Sequence, residues 1–266
     1  VLTMNSPAAL IEHPENWQAI LWHEFCHSIT LTKTHNKMPR WLSEGLSVYE
    51  ERQRNAAWGE RMVPAYREIV LGGKATPVSK LSSAFLHPPT ALDLLFAYYE
   101  SSMVVAYIDD HWGQGAMNAV LTDLGNDVPI NTAIANHSES MAKLDADFAA
   151  YLKGLAEGLA PEADLERPEV PADAPAAVRT QLLAAFRAAH PENYWLMLEE
   201  AQGLVEGRQF ADALPVIAKL IELFPADAGQ PDDPHLLAAA CYRGLNEPAQ
   251  ERAALAAFLA KNDNAV

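Results

Sequence analysis

Two histidines four residues apart, with a glutamate directly after the first, stand in the stretch 22–31, WHEFCHSITL. An α-helix turns about 100° per residue, so His23 and His27 would lie one turn apart on one face, with Glu24 on the neighbouring flank. Two imidazole nitrogens on one face can bind a single metal ion. The remainder of the stretch is mostly apolar, which predicts a buried helix that carries a metal site.

A further carboxylate stands at Glu44, separated from His27 by sixteen residues, in the sequence MPRWLSEGLSVYEE. The intervening chain predicts a helix, a loop and a second helix that begins near Pro39 or Trp41. An antiparallel pair of helices would bring the Glu44 carboxylate to the open side of the histidine pair. Catalytic zinc sites take three nitrogen or oxygen ligands from the protein and a water. His23, His27 and Glu44 are therefore candidate ligands of Zn²⁺.

These motifs carry a family resemblance. HEFCH at 23–27 followed by WLSEG at 41–45 resembles the gluzincin zinc metallopeptidases, and WLSEGLS is similar to the M1 aminopeptidase clan and to bacterial peptidase MA-like domains. FAYYESSMVVAYIDDHWG, at 96–113, resembles the third helix of the MA-like domains. The resemblance covers about residues 1–153, and such proteins often continue into tetratricopeptide repeats.

The resemblance implies a role for each residue. The two histidines and Glu44 would bind the zinc ion, and Glu24 would be the general base that takes a proton from the attacking water and passes it to the leaving amine. Family members commonly use a tyrosine of the third helix to hold the oxyanion, for which Tyr98 aligns best and Tyr99 is the alternative. The implied function is zinc-dependent hydrolysis of a peptide bond in a peptide or protein substrate.

The chain also departs from related patterns. Its spacer between His27 and Glu44 is shorter than that of the M1 aminopeptidases, and it lacks the Gly-Ala-Met-Glu-Asn type of motif, so aminopeptidase specificity is unsupported. Thr30 and Lys33 stand where a metzincin has a glycine and a third histidine, which excludes that class.

Simpler interpretations exist for each residue. The histidines would then merely face a loop, Glu44 would be a solvated helix residue, and the two tyrosines would be core aromatic residues. His35 is an alternative ligand from the loop. Cys26 lies off the histidine face and is expected to pack as a small apolar group. Glu50 and Glu51 would either orient a ligand or form a solvated helix face.

The fold class predicted is mainly α: a zincin-like metallopeptidase helical domain with a small N-terminal β edge, followed by helical-hairpin repeats. The edge is VLTMN at 1–5, a short strand that would offer itself to an extended substrate. We expect the peptidase domain at 1–156. An acidic, proline-rich linker would occupy 157–179, and the helical repeat region 180–266.

Apolar periodicity predicts further helices. A long helix is expected at 92–111, ended by WGQG at 112–115, with others at 116–124 and 144–155. On the helix that carries Glu44, the same periodicity predicts a buried stripe made by Leu42, Leu46 and Tyr49.

The residues from 193 onward resemble tetratricopeptide repeats, helical hairpins of about 34 residues. The pattern recurs about 38 residues later in a degenerate form, because Glu251 stands where a small residue is expected. The first unit has matching residues at Ala201, Leu204, Phe210, Ala213, Ile217, Leu220 and Pro225, and the second at Ala239, Tyr242 and Leu255.

The net charge of the chain limits the kinds of partner that it can bind. The formal net charge is −16 without any basic block, which argues against nucleic-acid binding and against adhesion to an anionic membrane. No apolar run suggests a membrane span, and no targeting segment is evident, so the compartment stays open. Because the chain opens on Val1, we expect a fragment or a processed form.

An alternative function from another class is a protein-binding module, in which the repeats recruit a protein partner and the zinc site is structural or vestigial. Glu24 favours the enzyme, because a structural zinc site needs no base. Hydrolysis of a non-peptide amide or ester would use the same residues.

Overall fold

The chain is mainly α-helical. The computed structural model describes residues 16–86, 88–171, 173–224 and 233–261, and these ranges contain no β-strand. The strand predicted at 1–5 lies outside the described residues. In chain order the helices are α1 (Trp17–Lys33), α2 (Arg40–Arg54), α3 (Pro64–Leu71), a 3₁₀ helix (Val78–Ser83), α4 (Ala91–Gly125), α5 (Ile130–His137), α6 (Met141–Gly158), α7 (Ala176–Ala189), α8 (Tyr194–Glu206), α9 (Phe210–Leu223), α10 (Pro234–Gly244) and α11 (Pro248–Leu259).

The chain divides into two compact units, with the division between Glu157 and Gly158. In the first unit, α2 packs along α4 and against α1, and α4 also packs against α5. The predicted apolar stripe of α2 is confirmed, because its three members are all buried in the core of this unit. Burial of such a stripe is the main source of helix stability in a folded domain. α2 is therefore held at a fixed position between α1 and α4.

The long central helix α4 is bent. Gly113 has φ +76°, a left-handed conformation that glycine adopts at little cost, and helix geometry resumes after it up to Gly125. The sequence predicts the end of one helix at 112–115 and the start of another; the structure joins the two across this bend. Among the described residues α4 alone is long and apolar enough to cross a membrane, but more than half of its most apolar window is buried inside the unit. That burial is the pattern of a core helix.

The expectation that α1 is a buried helix is wrong. Trp17, Leu21, Phe25 and Ile29 follow one another at four-residue spacing, and each is 39 to 53% exposed. They lie on a face that the described residues leave open, whereas α2 and α4 pack on another face of α1. Apolar content alone did not reveal this difference, because both faces of the helix carry apolar residues.

The second unit contains two helical hairpins, α8 with α9 and α10 with α11, and α9 also packs against α10. The small and aliphatic residues of the repeat pattern in the first hairpin form its core, while Glu251 pairs with Arg243 at 2.7 Å instead of being buried. Pro225 lies outside the described residues. The fully buried members of the pattern are Ala201, Ala213, Ile217 and Leu220.

A fully buried carboxyl group lies in α4. Glu100 accepts a hydrogen bond from the backbone N–H of Thr76 at 2.8 Å through Oε1, and its Oε2 has no hydrogen-bond partner in the described part of the chain. Burial raises the pKa of Glu100 from 4.5 to about 8, since the charged form loses its hydration. This carboxyl group is therefore protonated in the folded protein at neutral pH.

The stability of the first unit should consequently fall as the pH rises from about 5 to 8. In that window the folded state holds a proton that the unfolded state has lost, which costs up to about 1.4 kcal/mol per pH unit. Glu100→Gln removes this titration, so its free energy of unfolding should depend less on pH. Urea unfolding at pH 5, 6, 7 and 8 measures both slopes; parallel curves for the two proteins would contradict the assignment.

Candidate metal centre

The antiparallel helices α1 and α2 bring three side chains to one point. The Oε2 atom of Glu44 lies 3.3 Å from Nε2 of His23 and 3.3 Å from Nε2 of His27. The ligand atoms of all three residues lie within 4.8 Å of one another, and all three side chains are partly buried. The two imidazole rings come from successive turns of α1 and the carboxylate from the second turn of α2. The structure thus assembles the three candidate ligands in one cluster.

The separations fit a zinc ion. Zinc binds histidine nitrogen and carboxylate oxygen at about 2.0–2.1 Å in tetrahedral geometry, which places neighbouring ligand atoms about 3.3 Å apart. Both nitrogen-to-oxygen distances at Glu44 have this value. Two imidazoles and one carboxylate are also a donor set that zinc prefers. The residues present therefore suit a zinc ion held by three protein ligands.

Side chains of α2 hold the far nitrogen of each imidazole. Oε1 of Glu51, which is buried, lies 2.5 Å from Nδ1 of His23. Nδ1 of His27 hydrogen-bonds to the hydroxyl oxygens of Ser43 at 2.8 Å and Ser47 at 3.2 Å. Partners of this kind fix the orientation of a metal-binding histidine. In this centre they leave both Nε2 atoms facing Glu44.

The centre is rich in negative charge. Burial alone would lower the pKa of His23, but hydrogen bonds to Glu44 and Glu51 outweigh burial and raise that pKa to about 9. Burial would likewise raise the pKa of Glu44, but hydrogen bonds from His23 and His27 hold it well below its ordinary value. Two carboxylates around two imidazoles create an environment that favours a cation.

The two predicted catalytic residues lie on different elements. Glu24 follows His23 on α1 and is half-buried. Tyr98, on α4, accepts a hydrogen bond from Nη2 of Arg40 at 3.1 Å. Burial and the nearby charge of Glu44 raise the pKa of Tyr98. Tyr98 therefore lies beside a candidate metal ligand.

The other residues that the sequence analysis considered for the site lie outside the metal cluster. Tyr99 is buried in the core and stacks on Tyr66, with ring centroids 5.3 Å apart. Nδ1 of His35 lies 3.3 Å from the backbone oxygen of Gly125 at the end of α4. Cys26 packs partly buried against the core, and burial raises its pKa to about 11. None of these three side chains belongs to the metal cluster.

Gly45 lets α2 approach α4 closely. A Cβ atom there would lie 2.8 Å from the backbone carbon and oxygen of Ser101, closer than real Cβ contacts. The glycine of WLSEG thus has a packing role next to Glu44, which sequence reasoning did not supply. The sequence analysis also did not identify Ser43, Ser47 or Arg40 as residues of the centre. The four-residue spacing of polar residues along α2 could have indicated them.

Comparison with known proteins gives the family of this chain. The profile of the Peptidase MA superfamily matches residues 13–154, more than half of the chain, and the chain belongs to that superfamily. Its members are typically metal-dependent peptidases, which agrees with the His and Glu cluster. The predicted peptidase MA-like domain is thereby confirmed. No curated protein and no solved structure matches the chain.

Glu51→Gln should weaken zinc binding about 10- to 100-fold, because the carboxylate that orients His23 and raises its basicity is lost. Glu50→Gln is the matched control: it neutralises the adjacent carboxylate of the same helix and should leave the affinity unchanged. Competition with a chromophoric chelator measures the zinc dissociation constants. Equal affinities for the two variants would show that the Glu51 contact does not support the ligand.

Gly45→Ala should destabilise the first unit by about 1–3 kcal/mol, since α2 must move away from the backbone of α4. The matched control is Gly154→Ala in α6, where an added Cβ meets nothing within 4 Å. Alanine there should be neutral or stabilising by up to about 1 kcal/mol, because it favours the helix. Urea unfolding compares the two, and equal changes would argue against a close approach at Gly45.

Proposed function

We propose that the chain is a gluzincin-type zinc metallopeptidase that hydrolyses peptide bonds in a peptide or protein substrate. The observation that carries the proposal is the cluster of His23, His27 and Glu44, with its 3.3 Å separations and with both Nδ1 atoms anchored on α2. Membership of the Peptidase MA superfamily supports the same reaction class. A bound zinc ion would supply Lewis acidity to water and to the substrate carbonyl group.

Glu24 is the proposed general base. It takes the proton from the attacking water and gives it to the leaving amine, a task that suits a carboxylate one position from a metal ligand. Tyr98 is proposed to donate a hydrogen bond to the carbonyl oxygen as that oxygen becomes negatively charged. Its place beside Glu44, in contrast to the buried Tyr99, supports this choice.

A catalytic site explains the residues better than a structural one does. Structural zinc sites have four protein ligands, often including cysteine, whereas the described part of the chain offers three in this cluster. A structural site also has no use for a carboxylate such as Glu24. The same residues would serve hydrolysis of a non-peptide amide or ester, and family membership is what favours the peptide bond.

A second proposal concerns the remainder of the chain. We propose that 1–156 is the peptidase domain, that 157–179 is a linker and that 180–266 is a tetratricopeptide-like region that binds a protein partner. The two hairpins and the buried small residues of the first support the repeat interpretation. If this region alone is functional, the zinc site is structural or vestigial.

Two substitutions in the full chain test the peptidase proposal. Glu24→Gln should keep about one zinc per chain but reduce cleavage of a quenched fluorescent peptide library by at least about 100-fold, because the base is lost while the ligands remain. Glu44→Ala should lose most of the zinc as well as the activity, because one ligand is removed. Elemental analysis and initial rates give both readouts.

Retained turnover in Glu24→Gln would rule out the base assignment. Absence of zinc from the wild-type chain, even after zinc is added back, would rule out the peptidase proposal and favour the binding module.

A further inference from the structure

A guanidinium group lies between the metal cluster and the candidate oxyanion donor. Nη2 of Arg40 donates a hydrogen bond to the Tyr98 hydroxyl at 3.1 Å, and its Nε lies 3.3 Å from Oε1 of Glu44. The guanidinium carbon also lies 5.4 Å from the ring centroid of Phe85, which packs edge-on against Tyr98. Glu44 thus faces the histidines with one oxygen and Arg40 with the other.

Helix stability does not account for an arginine at this position. Arg40 is the first residue of α2, whose first turn has no acidic residue and whose N-cap, Pro39, offers no side-chain hydrogen bond. A cation at the positive end of a helix dipole destabilises the helix. The pair with Glu44 runs in the weaker order, with the cation N-terminal to the carboxylate. A residue that breaks a local rule in this way often serves a site.

The direction of the hydrogen bond leaves the tyrosine able to donate. A guanidinium group has donors only, so the Tyr98 oxygen accepts from Arg40 and its own O–H hydrogen is not used in that contact. The Glu44 carboxylate also interacts with the same hydroxyl through a side-chain hydrogen bond. The phenolic hydrogen is therefore directed toward Glu44, on the side of the metal cluster.

We propose that Arg40 is a positioning residue, which holds the Tyr98 hydroxyl so that its O–H faces the carbonyl oxygen of the scissile peptide. The proposal rests on the peptidase function proposed above. Arg40 acts through Tyr98 and strengthens it as a donor, since a cation on the oxygen of a phenol makes its hydrogen more acidic. The hydrogen bond from Tyr98 becomes stronger as negative charge develops on the carbonyl oxygen. The effect of Arg40 should therefore appear in the rate of the chemical step.

The test uses the zinc-loaded full chain and four variants: Arg40→Gln, Arg40→Lys, Tyr98→Phe and the double variant Arg40→Gln/Tyr98→Phe. Arg54→Gln is the matched control, because it removes an exposed arginine of the same helix that lies ten residues beyond Glu44 and stacks on Trp22. Three quantities are measured for each: zinc content, kcat and KM on a peptide selected from the library, and the Kd for N-phosphoryl-leucinamide, a tetrahedral anion, by calorimetry.

Arg40→Gln should lower kcat about tenfold and weaken the phosphoryl probe about tenfold, with little change in KM or zinc content. Arg40→Lys should recover part of both losses, since an ammonium group can still donate to the hydroxyl. The double variant should be no worse than Tyr98→Phe, because Arg40 acts only through the tyrosine. Arg54→Gln should match the wild type.

Additive losses of kcat in the double variant would overturn the proposal. A loss of zinc in Arg40→Gln would also overturn it, because it would show that the arginine supports Glu44 instead. Equal kcat and equal probe affinity in Arg40→Gln and the wild type would also overturn it. These results are distinct from failure of the peptidase function, in which the wild-type chain itself would bind no zinc and cleave no peptide, and the role of Arg40 would fall with it.

Discussion

The carboxylate of Glu44 is shared between two imidazoles on one side and a guanidinium on the other, and most of the centre depends on that arrangement. A carboxylate so placed is kept ionised, because burial is outweighed by hydrogen bonds from His23 and His27. Glu44 can keep these contacts only if α2 is fixed in both position and rotation relative to α1. The buried apolar stripe of α2 and the close approach at Gly45 supply that constraint.

α2 carries the polar residues of the centre on one face and its apolar stripe on another. Ser43, Ser47 and Glu51 follow at four-residue spacing and contact the imidazole nitrogens that point away from Glu44. The apolar stripe of α2 faces the core, and Arg40 with Glu44 forms the side toward Tyr98. Because residues four apart share one helix face, the polar residues of α2 keep fixed positions relative to one another. A rotation of α2 would misplace all of them at once.

The sequence anticipated the general plan because that plan rests on local periodicity. The two histidines had to share a face once α1 formed, and the short loop after α1 favoured an antiparallel second helix that carries Glu44. The bend at Gly113 was signalled by WGQG, although the helix continues beyond it. The family profile then agreed with the resemblance seen in HEFCH and WLSEG.

The sequence by itself determined which residue types could form the centre and which helices would carry them, because helix period and capping depend on neighbouring residues. Only the tertiary structure showed that Tyr98 lies beside Glu44 while Tyr99 is buried in the core, and that Glu51 is the partner of His23. Adjacent residues on a helix differ by about 100° in direction, so the rotation of each helix selects one of the pair. That rotation is set by packing between segments far apart in the chain, as is the exposure of the apolar face of α1.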